Sequence, residues 1–496
     1  MTRRVAVIGG GSSGLASIKT CLDEGLQPVC FESSDDIGGL WKFKENPEAD
    51  RASIYQSVII NTSKEMMCFS DFPIPAHYPN YMHNSLIVDY FRMFADRFQL
   101  TRHIRFNTKV LQVKQRSDFS RSGQWDVETE NKDGEKEKHI FDAVMICIGH
   151  HCHPNLPLHD FPGIDSFTGK FFHSRDYKTA DEWRHKKAVV IGIGNSGGDI
   201  AVELSRVTKQ VYLSTRRGAW ILNRVSDNGL PRDMLNTRMA IFMRHVLPFG
   251  LSCGAAERKV SRRFDHSLYN LKPAHRYGGA ELGDILPVLC SAVLLTGVIF
   301  DDGSVVEDVF ATGYRFSFPF LASHVVSVSE NKASLYKYVF PPELDRPTLA
   351  IIGLVQPLGA IMPISEMQAR WATRVFKGEL LLPTTMAKRY VSSQRHTIQV
   401  DYISYMDEIA ELVGVRPSLP RLLLTDPRLG LNLMFGPCTP YQYRLRGPGK
   451  WAGARQAIFT QWERVARPMQ TRPCHDPKPE RSLKWLLVVA AKGRTY

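Results

Sequence analysis

Two glycine clusters, 183 residues apart, carry the clearest chemistry in this chain. Residues 5–14 read VAVIGGGSSG: four apolar residues, then Gly9-x-Gly11-x-x-Gly14, then a helical pattern with Leu15, Ile18 and Leu22 on one face. A second short strand, PVCFE, ends at Glu32, 18 residues past Gly14. In that setting Gly9 permits a tight turn, Gly11 lets the backbone approach a diphosphate, and Gly14 lets helix and strand pack closely. The anionic group then sits on the helix N-terminus, and Glu32 accepts hydrogen bonds from a ribose. Residues 188–197 repeat the pattern as AVVIGIGNSG, with Gly192-x-Gly194-x-x-Gly197 opening a helix that leads to the strand QVYLSTR. Eighteen residues past Gly197 stands Thr215, followed by Arg216 and Arg217. A carboxylate there would repel a 2′-phosphate, whereas a hydroxyl beside a guanidinium binds it.

The pair therefore reads as an FAD site followed by an NADPH site. The first is assigned to Gly9, Gly10, Gly11, Ser12, Ser13, Gly14 and Glu32, and the second to Gly192, Gly194, Asn195, Ser196, Gly197, Gly198, Thr215 and Arg216. Residues 35–41, DDIGGLW, place paired glycines before bulky apolar side chains. That lets backbone pass close to a large flat ligand, which suits FAD and adds Gly39, Leu40 and Trp41 to the first site.

Holding these residues takes two strand–turn–helix–strand units, the pattern of an α/β chain with two doubly wound, Rossmann-like dinucleotide-binding domains. At 496 residues there is room for roughly two to four domains. The expected order is an FAD-binding part over 1–153, an NADPH-binding domain over 154–312 with a helical insertion at about 222–285, a return to the FAD domain over 313–409, and a C-terminal extension over 410–496.

Composition narrows the class. Hydrophobic residues at 43% and charged residues at 23% are globular values, which excludes wholesale disorder and fibrous architectures. The net charge of +13 favours anionic ligands or an anionic membrane surface. Nucleic acid is not an expected partner, because no recognition-helix, zinc-finger or RNP pattern accompanies the charge. Nine scattered cysteines without a CxxC pair argue against a disulfide scaffold, a metal site and a dithiol redox centre. The first residues run straight into a strand with no secretory h-region. Leu286 to Phe300 and Trp485 to Ala491 are apolar but shorter than the roughly 20 residues that span a bilayer. The first is expected to be a buried strand or helix.

Between and beyond the two glycine turns lie further motifs. Phe167-x-Gly169-x-x-x-His173-x-x-x-Tyr177 and FATGY at 310–314, with the tracts NTSKEMMCFSDFPIP, STRRGAWILNRV, LAIIGLVQPLGAIMPISE and GPCTPYQYRLRGPGKW, resemble the flavin-containing monooxygenases of the vertebrate microsomal type along nearly the whole chain. The resemblance implies that NADPH reduces FAD, that oxygen adds at the flavin C4a, and that the hydroperoxide transfers one oxygen to a soft nitrogen or sulfur nucleophile of a small xenobiotic. It implies a site that excludes water, since an exposed hydroperoxyflavin collapses to hydrogen peroxide. It also places Asn61, the catalytic candidate, and Thr62 beside flavin and nicotinamide, where a neutral amide positions cofactors without adding charge. Read without the family, Asn61 is a turn residue at the end of an apolar run. His173 is expected to pack near the NADPH-domain junction and not to act as a base.

The chain looks shorter than the family pattern between GDILPV and IFDDGS, near 384–390, and in its terminal apolar segment. The family implies the cytosolic face of the endoplasmic reticulum membrane, while the short tail implies weakened, peripheral attachment. The residues leave three outcomes open: heteroatom oxygenation, Baeyer–Villiger insertion beside a carbonyl, or release of hydrogen peroxide. A truncated paralogue that binds FAD but is uncoupled or inactive is the rival reading. Nothing in the sequence sets an oligomeric state.

Overall fold

The computed structural model describes residues 2–48, 51–161, 164, 170–215, 218–226, 229–269, 271–274, 276, 285–286, 307–383 and 397–470. The strand Arg4–Ile8 is buried from Val5 onward because it has a parallel neighbour on each side, Gln27–Phe31 and Ala143–Ile146. A strand enclosed in this way reads as a continuous apolar run rather than an alternating one. The sheet runs in the order Leu349–Ile351, Ala143–Ile146, Arg4–Ile8, Gln27–Phe31, Ile104–Arg105, all parallel. The helix Ser12–Asp23 makes the crossover from Arg4–Ile8 to Gln27–Phe31. A second parallel sheet runs in the order Gln210–Ser214, Lys187–Ile191, Glu307–Phe310, Phe171–His173, with Asn195–Leu204 as its crossover helix.

Two features depart from a plain strand–helix alternation. Residues 108–141 form an antiparallel meander, Thr108–Gln115, Trp125–Asn131 and Lys136–Phe141, inserted between the Ile104–Arg105 and Ala143–Ile146 strands of the first sheet. Its strands bury alternate residues such as Val113, Trp125 and Val127. The segment beyond 402 also shares its core with the first sheet, since Ile409, Leu433, Tyr441 and Val465 belong to the same buried cluster as Val5 and Val144. A second cluster lies around Val190, Ile200 and Leu213, and takes in Ile54, Tyr55 and Val58 from the first part of the chain.

The stretch 222–285 contains the helices Arg238–Val246 and Phe249–Ser261. The apolar segment from Leu286 to Phe300 lies outside the described residues apart from Leu286, whose backbone pairs with Ile221. The tail beyond 470 and residues 384–396 lie outside them as well. Among the described residues no helix is long and apolar enough to cross a membrane.

Candidate active site

The first glycine turn is shaped by what a side chain would strike. Gly9 has φ +104°, and a Cβ there would lie 2.8 Å from the Cys147 carbonyl oxygen. A Cβ on Gly14 would lie 1.9 Å from the Gly9 carbonyl oxygen, so the helix sits on the turn only because that hydrogen is all Gly14 carries. Gly11 and Gly39 approach back to back: a Cβ on Gly39, whose φ is +54°, would stand 3.1 Å from the Gly11 Cα. The DDIGGLW segment thus closes over the first turn, with Gly39, Leu40 and Trp41 in one 3-10 turn and the Gly38 N–H donating to the Gly10 carbonyl. Ser12 and Ser13 open the helix, and Ser13 Oγ meets Ser365 Oγ at 3.0 Å.

Glu32 is buried at the end of its strand and already engaged. One carboxylate oxygen accepts the Gly10 N–H at 2.6 Å, the other accepts the Ser34 N–H and hydroxyl at 2.8 and 2.7 Å, and the Arg51 guanidinium stands 3.5 Å away. The carboxylate is therefore oriented by the turn before any ribose reaches it.

The second turn repeats the packing of the first and last glycines. Gly192 has φ +105° and room only for hydrogen beneath the Ala311 carbonyl, 2.4 Å from a would-be Cβ. Gly197 stands to Gly192 as Gly14 stands to Gly9, at 2.0 Å. Gly194 precedes the helix, and Asn195, Ser196, Gly197 and Gly198 form its first turn. Thr215 follows the strand Gln210–Ser214 and accepts the Gly218 N–H at 3.2 Å, while Arg216 lies outside the described residues.

Both helices suit a diphosphate. Neither Gly11 nor Gly194 has a side chain to cap its helix, and neither first turn holds an acidic residue. The N–H groups of each first turn thus lack an intrahelical acceptor and point at the space where phosphate oxygens would lie. A third helix near the first glycine turn, Ile361–Lys377, also lacks a side-chain cap and was not assigned from the sequence. It is brought up against the first helix through Gly353, φ +80°, where a Cβ would strike Ser13 Oγ at 2.3 Å.

Asn61 and Thr62 lie beside this third terminus, Thr62 Oγ1 donating to the Gly359 carbonyl at 3.3 Å. Two groups that the sequence reading missed hold this turn. The buried Arg224 donates from Nε to Asn61 Oδ1 at 2.6 Å, and Asp233 Oδ2 accepts the Ser63 N–H at 2.6 Å. Arg224 also lies 3.8 Å from Asp199, which accepts the Tyr55 hydroxyl at 2.8 Å. Burial pushes the Asp199 carboxyl up from its ordinary range and that of Asp233 up to about 6, with the Ser63 contact opposing the latter. Arg224 sits at the end of STRRGAWILNRV, but nothing in that tract's composition marks it as a partner of a residue 163 positions earlier.

His173 ends the edge strand Phe171–His173 of the second sheet, beside Phe310. Its Nδ1 accepts the Arg175 N–H at 3.1 Å, so Nε2 carries the proton and donates to the Gly313 carbonyl at 2.9 Å. Burial holds it below the usual imidazole range, as it holds His150 at about 4. Tyr177, further along the same motif, is buried. Arg175 reaches across to the carbonyl oxygens of Glu48 and Arg51. Among the described residues no group of histidine, cysteine or carboxylate side chains could hold a metal ion.

The chain is similar to known proteins along most of its length. The family model described as flavin-binding monooxygenase-like matches residues 2–492. Flavin-containing monooxygenase 5 of Cavia porcellus is 57% identical over 501 residues, covering 95% of this chain and 94% of that protein, and its Homo sapiens counterpart is 56% identical over the same shares. Dimethylaniline monooxygenase (N-oxide-forming) 2 of Rattus norvegicus is 52% identical over 503 residues, again 95% and 94%. Among solved structures, S-allyl-L-cysteine S-oxygenase from Allium sativum aligns with a TM-score of 0.62 at 23% identity, covering 95% of this chain and 98% of that one. Cyclohexanone monooxygenase from Rhodococcus, bound to NADP+, aligns with a TM-score of 0.52 at 19% identity, covering 76% and 85%. At those identities the structural likeness speaks for the fold.

Proposed function

The chain belongs to the flavin-binding monooxygenase-like family, and from that premise we propose that it oxygenates soft nitrogen and sulfur centres of small molecules, with Asn61 as the residue that meets the reacting cofactors. The family depends on FAD and NADPH, and the chain is an NADPH-dependent flavin monooxygenase. The bound flavin supplies two-electron chemistry and the activation of molecular oxygen.

The chain's own residues bind, orient and exclude water. The turn at Gly9–Gly14 holds the FAD diphosphate and Glu32 its ribose, while Gly39–Trp41 covers them. The turn at Gly192–Gly197 holds the NADPH diphosphate. The observation that carries the reading is the position of Asn61, on a buried turn beside a free helix N-terminus and fastened to an arginine from the second unit's side of the chain. A guanidinium only donates, so the amide oxygen faces Arg224 and the NH2 group is what Asn61 can offer a cofactor.

The test measures NADPH consumption, product and hydrogen peroxide with N,N-dimethylaniline and a thioether. Wild type is expected to convert both, and Asn61→Leu to keep its FAD while most of its NADPH consumption yields hydrogen peroxide. Absence of N-oxide and sulfoxide from the wild type, with NADPH consumed, would establish the uncoupled oxidase instead.

The NADPH preference is assigned to Thr215 and Arg216, on the contrast with Glu32 in the first unit. Removing a charge-assisted contact worth about 1.5 to 3 kcal/mol should raise KM for NADPH roughly 10- to 150-fold in Arg216→Ala while leaving NADH little changed. Equal losses with both nucleotides would remove the assignment.

Attachment to the cytosolic face of the endoplasmic reticulum is proposed as peripheral. Phe242 at 56%, Val246 at 60%, Phe249 at 54% and Leu251 at 66% exposure lie along two consecutive helices, which suits an interfacial contact with an anionic bilayer. The protein should sediment with microsomes at low salt and leave them in high salt or alkaline carbonate. Resistance to carbonate with release only by detergent would show integral insertion.

A further inference from the structure

The two groups that grip the Asn61 turn come from one short loop. Val225 bridges Pro231 in antiparallel fashion, and the Arg232 N–H donates to the Arg224 carbonyl at 2.8 Å, so Arg224 and Asp233 are brought together as the two feet of a closed excursion. One foot donates to Asn61 Oδ1 and the other accepts the Ser63 N–H, each at 2.6 Å. The loop is itself tied down from the first part of the chain: the Tyr81 hydroxyl donates to the Arg224 carbonyl, and the Arg224 guanidinium donates to the Ile59 carbonyl at 3.3 Å.

We infer that Arg224 and Asp233 form a clamp that sets which end of the Asn61 amide the cofactors meet, with Asp233 a positioning residue that acts through Ser63. A side-chain amide has one acceptor and two donors, and either end can face a ligand if χ2 is free to turn. Arg224 takes the acceptor end. That alone leaves the backbone beneath Asn61 able to shift, and with it the reach of the NH2 group. Asp233 removes this freedom by holding the amide two residues on, in a site where neither Arg224 nor Ser63 is open to water. The loop follows the second dinucleotide unit, whereas Asn61 belongs to the first part of the chain, so the reach of Asn61 toward the flavin is fixed by how the two parts meet. A clamp of this kind is absent from a reading in which Asn61 acts alone on a loop.

The inference rests on the assignment of Asn61 to the cofactors, and the experiment separates the two. Full-length, FAD-loaded wild type, Asp233→Leu and Asp233→Asn are compared by amide hydrogen exchange in peptides covering 59–67, and by the share of NADPH consumption that emerges as hydrogen peroxide with N,N-dimethylaniline present. Loss of the acceptor in Asp233→Leu should speed exchange there roughly 10-fold and raise the peroxide share. Asp233→Asn keeps an oxygen that accepts the Ser63 N–H, so both readouts should stay near wild type. Tyr81→Phe, which deletes one hydroxyl, should move both in the same direction as Asp233→Leu but less, and it stands in if Asp233→Leu does not fold. Wild-type exchange at 59–67 in Asp233→Leu, or in Tyr81→Phe where that variant stands in, overturns the clamp, and so does an Asp233→Asn protein as loose as Asp233→Leu. An Asn61→Leu protein with an unchanged peroxide share removes the Asn61 assignment, and the exchange data then judge the clamp on their own.

Discussion

Gly197→Ala is expected to give a yellow protein that NADPH reduces about 100-fold more slowly than it reduces wild type. The added Cβ would lie 2.0 Å from the Gly192 carbonyl oxygen and 3.1 Å from the Ala311 Cβ. Backbone carbonyls cannot swing aside as a long side chain can, so the helix Asn195–Leu204 must move away from the turn by an ångström or more. Its first-turn N–H groups then miss the NADPH diphosphate, and displacement of that size costs about 100-fold in hydride transfer. The first unit is untouched, so FAD content should be normal and dithionite should reduce it at the ordinary rate.

Gly14→Ala makes the same change at the other turn, where the gap is 1.9 Å. There the flavin itself should be lost, and with it the stability that a tightly held ligand contributes. Gly250→Ala is the control, because among the described residues no atom beyond its own helix backbone lies within 4 Å of its would-be Cβ and alanine is the better helix residue. If Gly197→Ala is reduced by NADPH as fast as wild type, or if Gly197→Ala and not Gly14→Ala loses flavin, the order of the two sites is wrong.

The two turns could be read from the sequence because all their chemistry is local. Gly9, Gly14 and Glu32 fall within one strand–helix–strand unit, and the constraint on each glycine comes from atoms that the pattern itself supplies. The acidic residue at 32 against the hydroxyl at 215 is a contrast visible by counting. The clamp on Asn61 was not readable, since Arg224 and Asp233 are 163 and 170 positions from their partners and neither lies in a periodic pattern. The antiparallel meander was hidden for a different reason. Two of its strands alternate, but KEKHIF is polar enough to read as a surface loop until its last residue, Phe141, is seen buried opposite its cross-strand partner Trp125. The third helix N-terminus escaped because QPLGAIMP has no glycine spacing of its own, and Gly353 takes its meaning from Ser13, 340 residues away in the chain.

The second large effect is expected at Arg444, which fastens the C-terminal segment to the first domain. Its guanidinium lies 2.5 Å from Glu366 and 3.1 Å from Asp71, and donates to Ser70 Oγ at 2.6 Å and to the Gly449 carbonyl at 2.7 Å. Ser70 in turn donates from its N–H and its hydroxyl to Glu366, each at 2.7 Å, and Asp71 keeps Lys19 at 2.9 Å. Lys19, Ser70, Glu366 and Arg444 are buried between the first helix, the helix Ile361–Lys377 and residues 440–444, with Asp71 half-buried at their edge. Arg444→Met leaves two carboxylates in a site without their main cation, and breaking a buried network in this way costs about 3 to 5 kcal/mol. The balance differs if the anion goes too: Glu366→Gln/Arg444→Met removes one charge of each sign, leaves Asp71 to Lys19, and should recover more than half of the lost stability. Because Ser365 and Glu366 belong to the helix whose free N-terminus lies beside Thr62, the single variant should also release FAD more readily, and trypsin should cut between 402 and 470 before it cuts the second sheet. Loss below about 1 kcal/mol for Arg444→Met, or a double variant weaker than the single one, would mean that the apolar contacts of Tyr441 and Val465 hold the segment and the ion network merely fills the space between them.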